Sequence, residues 1–257
     1  MPDLKPQNYK DPRPAEAFDR YHQRSRTRQP DWMYELVRLF TTPVSLFIYR
    51  TVAIEVDNVP ATGPVILAPN HFSIMDHFLI GAWLRRKIRF MAKSQIFGKN
   101  AVLDFIFLHG GVFPVRRGHG DEEAFKTVGA VLDGGGSLLI YCEGGRSRSG
   151  ELGQARPGVG RAALETGAPV VPIAILGSQG IRGWRRLAFP KVTIRYGKPI
   201  QFDVVADPTR AQQQEVADAI FAGVREMYEE LARDGRRTVL KRVRERRDAA
   251  QSSPRYS

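Results

Sequence analysis

Seven short runs rich in Val, Ile and Leu recur between residues 51 and 205, at 52–56, 65–68, 88–91, 112–115, 138–142, 170–176 and 192–196. Segments of helical length and spacing lie between several of them, at 75–86, 122–132 and 159–166. This alternation constrains the fold more than any other feature. A strand followed by a crossover helix returns parallel to its predecessor. The expectation is an α/β domain over residues 51–235, with a largely parallel central sheet flanked by helices. Gly134, Gly135 and Gly136 supply the turn before the run at 138.

The flanks read differently. Residues 1–30 hold five prolines and the closely spaced Arg24, Arg26 and Arg28, which describes a basic flexible arm. Residues 31–50 read as an amphipathic helical segment. Asp31 is placed to cap it, and Trp32, Leu36 and Phe40 follow at four-residue spacing. Pro43 is expected to interrupt it. Aromatic residues there alternate with Arg38 and Arg50, the pattern of a helix lying in a lipid headgroup layer. A helix packed on the domain's own core fits equally. Residues 208–233 read as one long helix and 236–247 as a second, within a basic tail over 236–257.

Charge narrows the partners. The chain of 257 residues carries 39 Lys and Arg against 27 Asp and Glu, a formal net charge of +12. Such a surplus favours a polyanion: a phosphate-bearing lipid surface, a phosphorylated ligand or nucleic acid. Half of it falls late, since the nine basic and three acidic residues after position 232 give +6. The single cysteine, Cys142, excludes an internal disulfide and a cysteine-based zinc site. No residue run approaches the roughly 20 apolar positions of a membrane span, and no signal-peptide core is seen at the N-terminus. No metal site is expected, because none of His22, His71, His77, His109 and His119 pairs with another at ligand spacing.

Four motifs carry the chemistry, mostly at strand ends. Asn70-His71-Phe72-Ser73-Ile74-Met75-Asp76 follows the second run. His71 has the chemistry of a general base, and Asp76 that of the acceptor fixing its tautomer. Within one helix, residues five apart diverge by about 140°. His71 is therefore expected in the turn before a helix, with Asp76 in its first turns. Taken alone, the pair also fits two unrelated polar residues. Gly111-Val112-Phe113-Pro114-Val115-Arg116-Arg117 delivers two arginines to a strand end, where forked guanidinium groups suit phosphate. Leu138 to Ser147 runs from a strand into the turn Glu143-Gly144-Gly145-Arg146-Ser147. Its glycines free backbone N–H groups to face an anion. A Glu143 carboxylate repels phosphate, so its expected task is to orient a substrate hydroxyl or hold an arginine. Val171-Pro172 marks a buried strand.

Together and in this order, the motifs resemble those of the bacterial 1-acyl-glycerol-3-phosphate acyltransferases and the wider glycerolipid acyltransferase family. Asn70, His71 and Asp76 match the Asn-His-x4-Asp block, and Gly111 with Arg117 the second block. Glu143, Gly144, Arg146 and Ser147 match Pro-Glu-Gly-Thr-Arg-Ser, with Arg156 and Gly158 after them, and Val171-Pro172 match the fourth block. Cys142 and Gly145 depart from it, standing where the family has proline and threonine. The resemblance covers roughly residues 32–205. It implies direct acyl transfer from acyl-CoA or acyl-carrier protein to the sn-2 hydroxyl of a lysophosphatidic acid acceptor, giving phosphatidic acid. The donor is a substrate, and no further cofactor is implied.

In this reading His71 and Asp76 are catalytic. Arg117, Arg146 and Ser147 take the acceptor phosphate, with Lys93 a further candidate, and Glu143, Gly144 and Gly145 complete the substrate loop. The sequence does not identify the N–H donors for the oxyanion, and the backbone near Gly144 is one candidate. The expected partners are an anionic membrane surface, the lysophospholipid and the acyl donor. The expected location is the cytoplasmic face of the cell membrane, held peripherally. Two mixed aromatic–basic clusters, Trp83 with Arg85, Arg86, Lys87 and Arg89, and Trp184 with Arg182, Arg185 and Arg186, are candidates for that surface. Another lysophospholipid or glycolipid acceptor is the first alternative. Nucleic-acid binding lacks a recognisable motif, and ester hydrolysis lacks the Gly-x-Ser-x-Gly elbow, because Ser149 stands where the last glycine belongs.

Overall fold

The computed structural model describes residues 11–116, 121–147, 149–181 and 189–252. Arg117, the Gly118-His119-Gly120 loop, and Arg182, Trp184, Arg185 and Arg186 lie outside the described residues. The seven expected strands form one sheet: β1 (Val52–Ile54), β2 (Val65–Pro69), β3 (Ile88–Lys93), β4 (Val112–Val115), β5 (Ser137–Leu139), β6 (Val170–Leu176) and β7 (Thr193–Tyr196). Their spatial order is β1-β7-β6-β2-β5-β3-β4. Every pairing is parallel except β6 with β7, so β1 and β7 run against the other five.

Two-residue alternation explains why both faces are covered. Ile66 and Ala68 of β2 join Leu138 and Val170 in one core, and Val65 and Leu67 join Leu139, Val171 and Ile173 in the other. Successive strand side chains point to opposite faces, so a strand buried on both reads as a continuous apolar run. Helices α5 (Glu122–Asp133), α6 (Pro157–Thr166) and the first part of α7 (Arg210–Ser252) cover the first core. The short α3 (Asp76–Gly81) contributes Leu79 and Ile80 to the second.

Helices α6 and α7 approach closely at a glycine. A Cβ at Gly160 would fall 1.9 Å from the Gln213 carbonyl oxygen and 2.9 Å from the Ala217 nitrogen. Helix α7 is broken at Gly235, which has φ 75°, as the two expected helices require. Beyond the break, Val239 is fully buried, Arg236 donates to the Arg50 carbonyl, and Arg247 pairs with Asp57. The stretch is thus fastened to residues on either side of β1. It is docked on the domain, not apart from it as a tail.

The N-terminal flank also differs from expectation over its described part. Residues 11–30, read as flexible, include α1 (Asp19–Thr27), packed against the β4 edge, α4 (Ala101–Gly110) and α5. Phe18 and Tyr21 are buried around Phe97, which supplies the apolar anchor that proline content concealed. Arg24 and Arg26 point inward, to the Leu108 and Glu123 carbonyls. Helix α2 (Trp32–Pro43) is capped by Asp31, which accepts from the Met33 N–H. After Pro43 the chain widens into a π-helical turn, Val44–Ile48. Helix α4 was not expected. Its signals are local: the Asn100 side chain caps its start, and Gly111 ends it in the left-handed region.

Of the Trp83–Arg89 cluster, Arg85 is exposed and the other four are turned inward. The Trp83 N–H donates to Thr51, and Arg86 donates to the carbonyls of Pro60, Gly63 and Gly135. Lys87 reaches the Pro30 carbonyl, and the buried Arg89 that of Arg28. These cations fasten loops to the sheet.

Two glycine-to-alanine changes separate close approach from helix propensity. Gly160→Ala should cost about 1–3 kcal/mol or more through overpacking. Gly129→Ala, in α5 where a Cβ meets nothing within 4 Å, should instead stabilise by about 0.5–1 kcal/mol. Denaturant midpoints of both variants check this, and equal shifts in one direction would refute the packing argument.

Candidate active site

Strand β2 ends at Pro69, and the chain leaves the sheet under control of Asn70. Its side chain donates to the Ile175 carbonyl at 3.1 Å and accepts from the Ile175 N–H at 2.7 Å, standing in for the next rung of the β2–β6 ladder. Asn70 is fully buried, so these bonds satisfy groups that have no water to turn to.

His71 and Asp76 meet as expected, His71 in the turn and Asp76 at the first position of α3. Asp76 Oδ2 lies 2.8 Å from His71 Nδ1 and also accepts the N–H groups of Phe72 and Ser73, at 2.8 and 2.9 Å. An oxygen that accepts two amides faces the imidazole as an acceptor, which puts the imidazole proton on Nδ1. Nε2 then carries the lone pair a base needs. Asp76 is fully buried and its Oδ1 has no hydrogen-bond partner. The His71 side chain keeps 12% exposure, so the ring edge remains reachable.

The β5 segment closes over this histidine. Tyr141 stacks on the His71 ring, with centroids 3.6 Å apart and planes 14° from parallel. The Tyr141 hydroxyl is buried, and burial pushes its pKa well up. Glu143 Oε2 accepts from the His71 N–H at 2.8 Å, and Oε1 from the Gly153 N–H at 2.6 Å. Burial raises the Glu143 carboxyl above its usual range, while these two amides pull it back. The Ser147 N–H donates to the His71 carbonyl at 2.8 Å. His77, next to Asp76, is pushed down to about 4 by burial and by His71, and is neutral at physiological pH.

The glycine turn is placed beside the pair. Gly144 turns at φ 63°, and the side-chain stem of Arg156 lies 3.2 Å from where its Cβ would be. Its N–H donates to the Tyr141 carbonyl, so the Gly144 amide is not free to serve an oxyanion. Gly145 follows in the same turn. Arg146 is exposed, has no hydrogen bond or ion pair among the described residues, and acts electrostatically on His77 and Tyr141. The Ser147 hydroxyl lies 3.1 Å from that of Ser149. Lys93 is exposed at the C-terminal end of β3, on the same sheet edge as the end of β2. Arg116 follows β4, with its backbone N–H bonded to Asp121 and its side chain 3.8 Å from that carboxylate. Cys142 is buried, donates toward the Ala68 carbonyl and has its pKa raised by burial, which disfavours a thiolate. Among the described residues no group of three His, Cys, Asp or Glu side chains is arranged to hold a metal ion.

Tyr141 is the residue that sequence reading passed over. It stands just past the end of β5, where the chain turns through the Gly144 N–H to Tyr141 carbonyl bond.

A buried carboxylate–imidazole pair at a strand end, beside an arginine-bearing glycine turn, has the groups that base-assisted attack by a hydroxyl requires. Residues 51–176 match the family model described as Acyltransferase. Over those residues, just under half of its length, the chain is similar to that family. Two relatives share one description. It is 27% identical over 165 residues to 1-acyl-sn-glycerol-3-phosphate acyltransferase BAT2, chloroplastic, of Brassica napus, covering 63% of this chain and 45% of that protein. It is 26% identical over 218 residues to the probable 1-acyl-sn-glycerol-3-phosphate acyltransferase of Mycoplasma pneumoniae, covering 74% and 77%. The matches span about half the length of the two plant chloroplast relatives, at 45% and 51%. The fold is similar to the crystal structure of the 1-acyl-sn-glycerophosphate (LPA) acyltransferase PlsC from Thermotoga maritima. The TM-score is 0.59 at 22% identity, over 76% of this chain and 79% of that one.

The contact between His71 and Asp76 sets one expectation. Asp76→Asn keeps an oxygen for all three donors but removes the charge opposite the imidazole. Turnover should fall by at least about 10²-fold with little change in thermal midpoint. Undiminished turnover would show that the pair is structural only.

Proposed function

We propose that the protein transfers a fatty-acyl group from acyl-CoA or acyl-carrier protein to the sn-2 hydroxyl of 1-acyl-glycerol-3-phosphate, giving phosphatidic acid. The observation that carries this reading is the His71 Nδ1 to Asp76 Oδ2 contact of 2.8 Å, on a carboxylate anchored by two further amides. His71 Nε2 takes the acceptor hydroxyl proton as that oxygen attacks the thioester carbonyl. The tetrahedral intermediate collapses with loss of the C–S bond, and the leaving sulfur takes the proton from the imidazolium. Asp76 holds the tautomer and offsets the imidazolium charge. Arg146 is the described cation best placed for the acceptor phosphate, with Ser147 and Lys93 beside it and Arg117 from the second motif.

The reading includes attachment to a membrane surface. No helix among the described residues is long and apolar enough to cross a bilayer. Trp32, Leu39, Phe40 and Phe47 are nevertheless largely exposed on α2 and its π-helical end, and Val102, Leu103 and Phe105 on α4. Trp32 lies 6.4 Å from Phe105, which joins the two sets. An apolar face of this kind beside basic residues suits a headgroup layer. The cytoplasmic leaflet, with its anionic lipids, is the surface proposed.

Two measurements test this. Palmitoyl transfer from coenzyme A or acyl-carrier protein to lysophosphatidic acid should be lost by about 10²–10⁴-fold in His71→Ala. Full activity in a folded His71→Ala protein would refute the mechanism, and acylation of other lysolipids alone would move the acceptor. Separately, Phe40→Asp with Phe47→Asp should lower binding to anionic phospholipid vesicles in a flotation assay, while activity on a detergent-dispersed short-chain acceptor is kept. Unchanged flotation would refute the apolar face as the docking surface.

A further inference from the structure

Glu143 commits both carboxylate oxygens to main-chain donors, Oε2 to His71 at 2.8 Å and Oε1 to Gly153 at 2.6 Å. A Cβ on Gly153 would come within 3.1 Å of Oε1, so that flank of the carboxylate is already filled. The His71 peptide is held from its other side too, since its carbonyl accepts from the Ser147 N–H at 2.8 Å. Its ring lies on Tyr141. All three grips come from the segment 141–147, and none of them uses Asp76.

We infer that Glu143 is a positioning residue for His71, setting that residue's backbone through its N–H, and not a ligand for the acceptor's phosphate or hydroxyl. The inference rests on the reading of His71 as the general base. Its physical ground is the count of donors and acceptors. A carboxylate is acceptor-only, and two N–H groups converge on this one. A negative group so placed also repels a phosphate. Asp76 fixes the imidazole at Nδ1, but a ring hydrogen bond cannot by itself fix the Cα from which the ring swings. Glu143 and Ser147 supply that second constraint. A displacement of about 1 Å in such a centre costs on the order of 10²-fold in rate.

The test uses the full chain and three variants, Glu143→Gln, Gly153→Ala and Glu143→Gln combined with His71→Ala. Glutamine keeps one acceptor oxygen and turns an NH2 toward the other N–H, replacing a bond by a clash of donors. Gly153→Ala leaves the carboxylate in place and crowds it. Both single variants should lose turnover by roughly 10–10²-fold, with KM for 1-acyl-glycerol-3-phosphate essentially unmoved. In the His71→Ala background, Glu143→Gln should cause no further loss, because its effect passes through the missing imidazole. In protein labelled with ¹⁵N at histidine, the His71 ring signals and titration midpoint should shift in both single variants.

A rise in KM for the acceptor with turnover kept would overturn the inference. So would additive losses in the double variant, or His71 signals unmoved in both single variants. The NMR reading needs no turnover. If the wild type fails to acylate this acceptor, the proposed function falls while shifted His71 signals still uphold the positioning role. Should Glu143→Gln unfold, Gly153→Ala decides by the same readouts.

Discussion

A sheet buried on both faces leaves polar chemistry one place to go, the edge where its parallel strands stop. Strands β6, β2, β5, β3 and β4 point the same way and so bring their C-terminal ends to one rim. The side chains of β2 are consumed by the two cores from end to end, and those of β6 nearly so. A catalytic group on such a strand would be sealed in. The residues just beyond the strands have both a rigid base and access to ligand, which is why α/β sheets place their sites there. Asn70, His71, Lys93, Arg116 and Glu143 all come from the C-terminal ends of these strands or just beyond them.

The rim poses a difficulty of its own, because loops have no ladder to hold them. The protein solves it with buried polar groups that imitate one. Asn70 continues the β2–β6 pairing with its side-chain amide. Asp76 gathers two amides and the imidazole on one oxygen, bending the chain back through the five-residue offset that a continuous helix forbids. Glu143 ties the His71 turn to the loop at Gly153. Each of these groups, if left unpaired, would cost about 1–3 kcal/mol or more. The turn is therefore well determined although it belongs to no helix or strand.

How far this was readable from the sequence depends on what kind of force writes each part. Strand positions were legible because burial acts on every second residue over several residues, and the seven runs became the seven strands. The Asp31 cap, the Gly235 break and the meeting of His71 with Asp76 were legible because they depend on residue type at fixed short spacing. Helix α1 was not, since its two anchoring aromatics, Phe18 and Tyr21, sit among basic and polar residues typical of a tail. Nor was the Glu143 contact, because its partner is a backbone N–H 72 positions away, and every residue but proline carries one. Main-chain partners leave no mark on composition or spacing.

The same blindness affected the arginines, with a consequence for how charge is used. A net +12 reads as a field directed outward. Yet Arg24, Arg26, Arg86, Lys87 and Arg89 turn their heads to carbonyls of loops and helix ends, and Arg195 is buried between Glu55 and Glu230. Guanidinium groups suit this work, because several donors in a fixed fork can satisfy two or three carbonyls that no strand or helix reaches. Much of the basic surplus thus acts as internal fastening. Arg146 differs: it is exposed at the strand rim and has no carboxylate or carbonyl partner among the described residues.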